Sequence, residues 1–421
     1  MKYVAFVIVS ILLSSTLLFA EEMPLTLDEA LVIGLRENRN ILLGEEEIKK
    51  AKAKIQESYA DLFPSLNFTG SWTYTRGYYS KDMSQTNSQA TLRQYLYTGG
   101  KIFNTIKYNG YIFEVSKALM DKNRIETVLD ITKGLYTLLL VQEYSNLNKI
   151  LLENAKEHLA FIEEKYKFGQ ASQSEVLKAQ ASLSSLVQVY EGSLNQVGLA
   201  RAVLNNLLYL DKEVNIIATG DFSYDNRDVA FDQGLLKALE ERPEIKQYKA
   251  QASADKSSIE IAKAATRPVI YASWDYYSRS HAVTTTVNTQ NWNDYNILGV
   301  TFSWPVFDGW RAKYRVEQAI VDLKKTQLLR EKAIKDITLE LKEAYLALQD
   351  ALSKIKSSES DLEMYEDNFK VIKEKYIKGE ASFLDKSDAN AKYSVSRYNQ
   401  TQAIYDYMVA RAAFDKATGG F

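Results

Sequence analysis

Asp385 and Asp388 are the residues whose types and spacing come nearest to a chemical device. Three positions apart, they share one face of a helix, where two carboxylates attract cations and repel anions. Nothing beside them completes a catalytic set. The 421 residues include two histidines, His158 and His281, and no cysteine. Thiol nucleophiles and disulfides are therefore excluded, and no cysteine offers itself for lipid acylation. No ligand spacing suits a metal, and no Gly-rich Walker loop would cradle a nucleotide. A formal charge of −2 leaves no nucleic-acid footprint. The expectation is a protein that is not an enzyme, holds no cofactor or metal, and takes any driving energy from a partner. His158 is expected on a helix surface or seam, and His281 at a loop tip.

The aspartates follow a turn that occurs twice. Ile162-x-Glu164-Lys165-Tyr166-x-x-Gly169-x-Ala171-Ser172 returns 210 positions later as Ile372-x-Glu374-Lys375-Tyr376-x-x-Gly379-x-Ala381-Ser382. Leu27-Asp28 and Phe63-Pro64 are echoed by Phe231-Asp232 and Arg267-Pro268, 204 positions on. The chain is a duplicated unit, and the growth in offset fits one longer loop. Gly169 and Gly379 allow the positive φ that ends a helix, and Ser172 and Ser382 stand as N-caps of returning helices. Proline-free stretches of 67 residues, Gly100 to Tyr166 and Trp310 to Tyr376, precede the turns. At about 1.5 Å per residue each spans about 100 Å as a helix. Val176, Leu183, Val187, Tyr190, Leu194, Val197 and Leu204 form a seam of 3.5-residue period, so the returning helices should pack as in coiled coils.

Strands precede each long helix. Leu66, Phe68, Gly70, Trp72 and Tyr74 alternate with Ser65, Asn67, Thr69, Ser71 and Thr73, and a partner runs from about Ser88 to Tyr97. The second copy repeats this parity in Ile270 to Tyr276 and Leu298 to Val306. The polar segments Gly77 to Asn87 and Ser278 to Asn291 are expected as exposed loop tips, the second holding the extra residues. A soluble sandwich would bury the apolar face. A membrane β-barrel would show it to lipid, which suits strands of about ten residues. The barrel reading also suits residues 1–20, which have the make-up of a signal peptide. All five tryptophans fall in or beside the hairpins, and Trp72, Tyr74, Trp274, Tyr276, Trp292 and Trp304 are expected at the membrane interfaces. No later stretch is apolar enough for a spanning helix. Four strands cannot close a barrel, so copies must share one: eight strands in a dimer, or twelve in a trimer.

These readings divide the chain into a signal peptide (1–20), a first repeat (21–210), an equatorial linker (211–230) and a second repeat (231–421). The first repeat opens with a helical region from Leu25 to Tyr59, begun by the capping box Thr26-x-x-Glu29. It continues with a β-hairpin at 64–97 and helices at about 99–167 and 172–209. The linker carries a short strand at Glu213 to Ile217. The second repeat has a hairpin at 268–307 and helices at about 309–377 and 382–417.

This order resembles the TolC-like outer-membrane efflux proteins, or outer membrane factors. The resemblance rests on Leu25-Thr26-Leu27-Asp28-Glu29-Ala30-Leu31 with Asn38 and Asn40, on Phe63-Pro64, on Phe307-Asp308-Gly309-Trp310 and on the two Tyr-x-x-Gly-x-x-Ser turns. It implies a mainly α chain with a membrane β-barrel part. Three copies would form a 12-stranded β-barrel continuous with a 12-helix α-barrel, set in outer-membrane lipid with a long periplasmic extension. Such a homotrimer is the passive exit duct of a tripartite efflux pump or a type I secretion system. It docks to a periplasmic adaptor (membrane fusion) protein and an inner-membrane pump of RND, ABC or MFS type. By the same resemblance Phe168, Gly169, Gln170, Ala171 and Ser172, with Gly379, Glu380, Ala381 and Ser382, are adaptor-facing tips. Asp385 and Asp388 match the family's periplasmic constriction, and Tyr376 and Glu175 match positions of its gate-closing bonds. Ala381 stands where an arginine is expected and Lys386-Ser387 replace a Val-Leu pair, so the closed state would be weaker or differently fastened. The competing reading is an envelope-spanning tether or adhesin without channel activity.

Overall fold

The computed structural model describes residues 22–78, 81–210, 214–220, 224, 230–283 and 291–420. The expected signal peptide lies outside them. Duplication is visible in element lengths. Helices α1 (Leu27–Glu37) and α2 (Arg39–Ala60) contain 11 and 22 residues, as do α5 (Phe231–Glu241) and α6 (Pro243–Ala264). Helices α3 (Lys101–Lys167) and α7 (Arg311–Ile377) contain 67 each, and α4 (Gln173–Leu208) and α8 (Phe383–Thr418) contain 36 each. The offset therefore changes between Ala264 and Arg311, within the second hairpin. Its expected place at the hairpin tip falls on 284–290, outside the described residues.

The chain divides into two compact units. The first comprises Met1–Asn38, Thr127–Asn226 and Ala347–Ala412. Its core is a cluster of Leu25, Ile131, Leu135, Leu138, Leu204, Leu208 and Ile216, all essentially without solvent exposure. Two short strands close over it: β1 (Glu22–Leu25) pairs in parallel with β4 (Asn215–Ala218). The sequence reading places the second of these at Glu213 to Ile217 and does not include the first. Thr26 caps α1 through its reciprocal bonds with Glu29. The single opening helix expected from Leu25 to Tyr59 is in fact two. Asn38 adopts an extended conformation (φ −63°, ψ 124°) between them, and its side-chain amide donates to the Leu207 carbonyl at 3.2 Å. The last turn of α4 thereby supplies an acceptor that a straight helix would forgo.

The second unit comprises Arg39–Glu126, Arg227–Leu346 and Ala413–Phe421. It contains an antiparallel sheet in the order β2 (Ser65–Tyr78), β3 (Lys81–Thr98), β5 (Val269–Val283), β6 (Asn291–Ser303). The described residues of the segments read as polar loop tips are therefore strand, and the backbone of His281 lies in β5 rather than in a loop. Their polarity reflects side-chain pairing across the ladder, as where the Trp72 indole donates to Ser84 Oγ at 2.9 Å. A strand needs an apolar face only where it meets a core or lipid. Arg242, 204 positions after Asn38, forms the joint between α5 and α6. Its guanidinium donates to Glu244 and Glu340 and to the carbonyls of Lys416 and Ala417.

Candidate functional site

The two faces of the sheet differ in character. Cross-strand partners Leu66, Leu92, Trp274 and Leu298 share one row, with Phe68, Ala90, Tyr276 and Asn296 in the next. This face is bare: Phe68 is 75% exposed, Val300 70% and Leu298 82%. So large an apolar surface marks a membrane or a partner. Trp72 and Trp292 share a row through Thr86 and Ser280 toward the hairpin tips, with Tyr74 just beyond. Trp304 lies past the other end of β6, its indole donating to the Thr266 carbonyl. Trp274 and Tyr276 lie between those limits, in the rows of Leu298 and Phe68. The opposite face carries Gln89, Thr91, Arg93, Tyr271, Asp275 and Tyr277. Asp275 accepts from Thr91 Oγ1 at 2.6 Å and from the Gln89 amide at 3.2 Å.

At the helix reversals, Gly169 and Gly379 have φ of +72° and +76°. Each donates to the carbonyl three residues back, and Gln170 and Glu380 donate to the carbonyls of Lys165 and Lys375. That double bond pattern satisfies orphan carbonyls at the helix end, and glycine adopts its left-handed φ without a Cβ penalty. Ser172 caps α4 and is locked by Glu175, whose carboxylate accepts from the Ser172 backbone at 2.6 Å and hydroxyl at 2.8 Å. Ser382 and Asp385 repeat the arrangement at 2.9 and 2.7 Å. Bonds from Ser172, first the backbone N–H and then the hydroxyl, hold the Glu175 carboxyl below its ordinary range. At Asp385 the Ser382 hydroxyl and then its backbone N–H act in the same direction. Asp388 pairs with Lys392 at 2.8 Å. Glu175, Asp385 and Asp388 are therefore all engaged within their own helices.

The second turn has a feature that the sequence reading missed. Phe383, at the first position of α8, is only 8% exposed. Its ring lies 5.1 Å from Phe161, 5.9 Å from His158 and 6.4 Å from Tyr376. Lys386 Nζ stands over Tyr376 and Phe383 at 5.3 and 5.7 Å. His158 is part of this seam, with its Nδ1 buried and unpartnered. Phe168, Gln170 and Glu380 are exposed on the turns, with Ala171 and Ala381 half-buried beside them. The available signal was an aromatic directly after a helix N-cap. Among the described residues no cluster of metal-ligating side chains occurs, and no helix is long and apolar enough to cross a membrane.

The profile of the outer membrane efflux protein family matches residues 32–208 and 235–420, one segment in each repeat. The chain belongs to the outer membrane efflux protein family. Among relatives of this efflux-family chain, the probable outer membrane lipoprotein SilC of Salmonella typhimurium is 22% identical over 396 residues, covering 92% of this chain and 84% of SilC. Among solved structures, the CmeC outer membrane channel of Campylobacter jejuni superposes with a TM-score of 0.78 at 18% identity, covering 94% of this chain and 85% of CmeC. The open state of the MtrE outer membrane channel of Neisseria gonorrhoeae gives 0.74 at 15% identity, covering 94% and 89%. The efflux-family chain thus has the fold of outer-membrane channels, is located in the outer membrane and is not an enzyme.

Proposed function

We propose that three copies of the chain close their sheets into one twelve-stranded barrel that continues into a helical tunnel and forms a passive exit duct. The observation that carries this reading is a sheet with two open edges, β2 and β6, and one bare apolar face. In a bilayer each unpaired edge group costs several kcal/mol, on the order of a lost buried hydrogen bond, so the edges must meet other copies. The resemblance to outer membrane factors selects three copies over two. Lipid then meets the Leu298 face, and the Thr91 face lines water.

The two turns, from Phe168 to Ser172 and from Gly379 to Ser382, would meet a periplasmic adaptor. An inner-membrane pump of RND, ABC or MFS type, or a type I secretion transporter, would supply the energy. Asp385 and Asp388 of each copy would ring the periplasmic constriction, with Tyr376 and Glu175 beside it. Purified full-length protein in planar bilayers is expected to give discrete conductance steps, and cross-linking in detergent to give a trimer. A folded oligomer without conductance would instead support the tether or adhesin reading.

A further inference from the structure

The polar face of the sheet holds two arginines, Arg93 and Arg279, that make no direct ion pair among the described residues, although Arg93 lies within electrostatic reach of Asp275. Arg93 lies with its guanidinium carbon 4.8 Å from the centroid of Tyr271, and Tyr271 meets Tyr95 edge-on at 5.9 Å. Eight residues further along β5, Arg279 stands 5.3 Å from Tyr277 and 5.7 Å from Tyr295, whose rings stack at 4.9 Å and 16°. The register puts all six side chains on one face, in a row about 25 Å long at about 3.3 Å per residue.

Asp275 lies between the two groups; it accepts from the neutral Thr91 and Gln89, and it also interacts with Ser273 and, at longer range, with the charge of Arg93. Neither arginine forms an ion pair with a described residue, and the Arg93 Nε–H is buried with no acceptor. Such a donor calls for a partner. A guanidinium lying over a ring keeps its N–H edge free for an anion, and the tyrosine faces add stacking for a flat molecule.

We infer that this row is a binding track for aromatic organic anions, in which the arginines take a sulfonate or carboxylate and the tyrosines take the ring. Its placement in the lumen rests on the channel reading; the track itself does not.

The test is fluorescence anisotropy of 1,3,6,8-pyrenetetrasulfonate with the full-length protein in detergent, with sulfate as competitor. Arg93→Gln with Arg279→Gln should weaken dye binding at least tenfold. Tyr277→Leu with Tyr295→Leu should bring dye and sulfate close to equal affinity. Arg279→Gln alone, at an exposed site, should still lose about threefold if the double variant fails to assemble. Dye binding unchanged in the arginine variants, or sulfate displacing dye at equal concentration from the unmodified protein, would overturn the proposal. Conductance of the same preparation reports separately on the channel: bound dye without conductance removes the lumen and leaves the track.

Discussion

Phe383 stacks on His158, with ring centroids 5.9 Å apart and planes 8° from parallel. The position 210 residues earlier holds Gln173, so only the second turn carries this aromatic plug. It ties the start of α8 to α3, whereas resemblance suggested that polar bonds of Tyr376 and Glu175 would fasten the gate. Tyr376 also presents its ring to Phe383. Truncating a buried phenylalanine costs on the order of 3 kcal/mol. Phe383→Ala should therefore loosen the second turn and raise single-channel conductance, while Phe383→Leu should restore most of the closed behaviour. Equal conductance in both variants would remove Phe383 from the gate.

Much of this architecture was legible because it is written locally. Gly169 and Gly379 announce a left-handed φ, and alternation from Leu66 to Tyr74 announces a strand. β1 was not legible: Met23 and Leu25 turn to the core on either side of the exposed Pro24, but four residues with a proline among them are too few to announce a strand, and its partner β4 begins at Asn215. The polar ends of the strands hid for a related reason, since side chains that pair across the ladder leave no apolar signal. Ser382-x-x-Asp385 did carry a readable signal, the same pattern as Ser172-x-x-Glu175. The acid at its end looked like a lumen charge, and the structure makes it first a cap.

Arg242 is the buried charge to remove. Its side chain is 5% exposed, it is 2.9 Å from Glu244 and 2.8 Å from Glu340, and Lys416 also reaches Glu340 at 2.9 Å. Arg242→Ala strands the acids and two carbonyls, a loss on the order of 3 kcal/mol, readable as a fall in Tm of the detergent-solubilised protein. Burial alone would raise the Glu340 carboxyl, but Lys416 and Arg242 together bring it below its ordinary range. A carboxyl with a lowered folded pKa stabilises fully above its unfolded pKa and loses that contribution as pH falls through the folded value. Glu340→Gln should thus lower Tm at pH 7, and the difference from the unmodified protein should shrink at pH below about 4. A difference that grew on acidification would contradict the ion network.

Gly34 faces Ile131 so closely that an added Cβ would overlap Ile131 Cδ1. Ile131 is itself fully buried in the core beneath β1 and β4 and has little room to yield. The gain in helix propensity from Gly34→Ala, about 1 kcal/mol, should be outweighed by overpacking of about 1–3 kcal/mol. Adding Ile131→Val should recover part of the loss, and a thermal-melt double-mutant cycle would measure the coupling. Additive losses would mean that the two positions do not compete for the same space.

Asp388 and Lys392 form a pair at 2.8 Å, which bears on any carboxylate ring at the proposed constriction. An exposed pair of this kind adds little to stability, so its interest lies in the field it leaves. Removing the lysine should expose the Asp388 charge and removing the aspartate should expose the cation, giving opposite shifts in selectivity. Lys392→Ala is expected to make the channel more cation-selective, and Asp388→Ala less so, by reversal potential under a salt gradient. Asp385 needs a separate variant because its carboxylate also locks Ser382: Asp385→Asn removes the charge and keeps an acceptor for the cap. A selectivity change in Asp385→Asn without a change in Tm would place that carboxylate on the lumen. A fall in Tm with selectivity unchanged would leave it a cap alone.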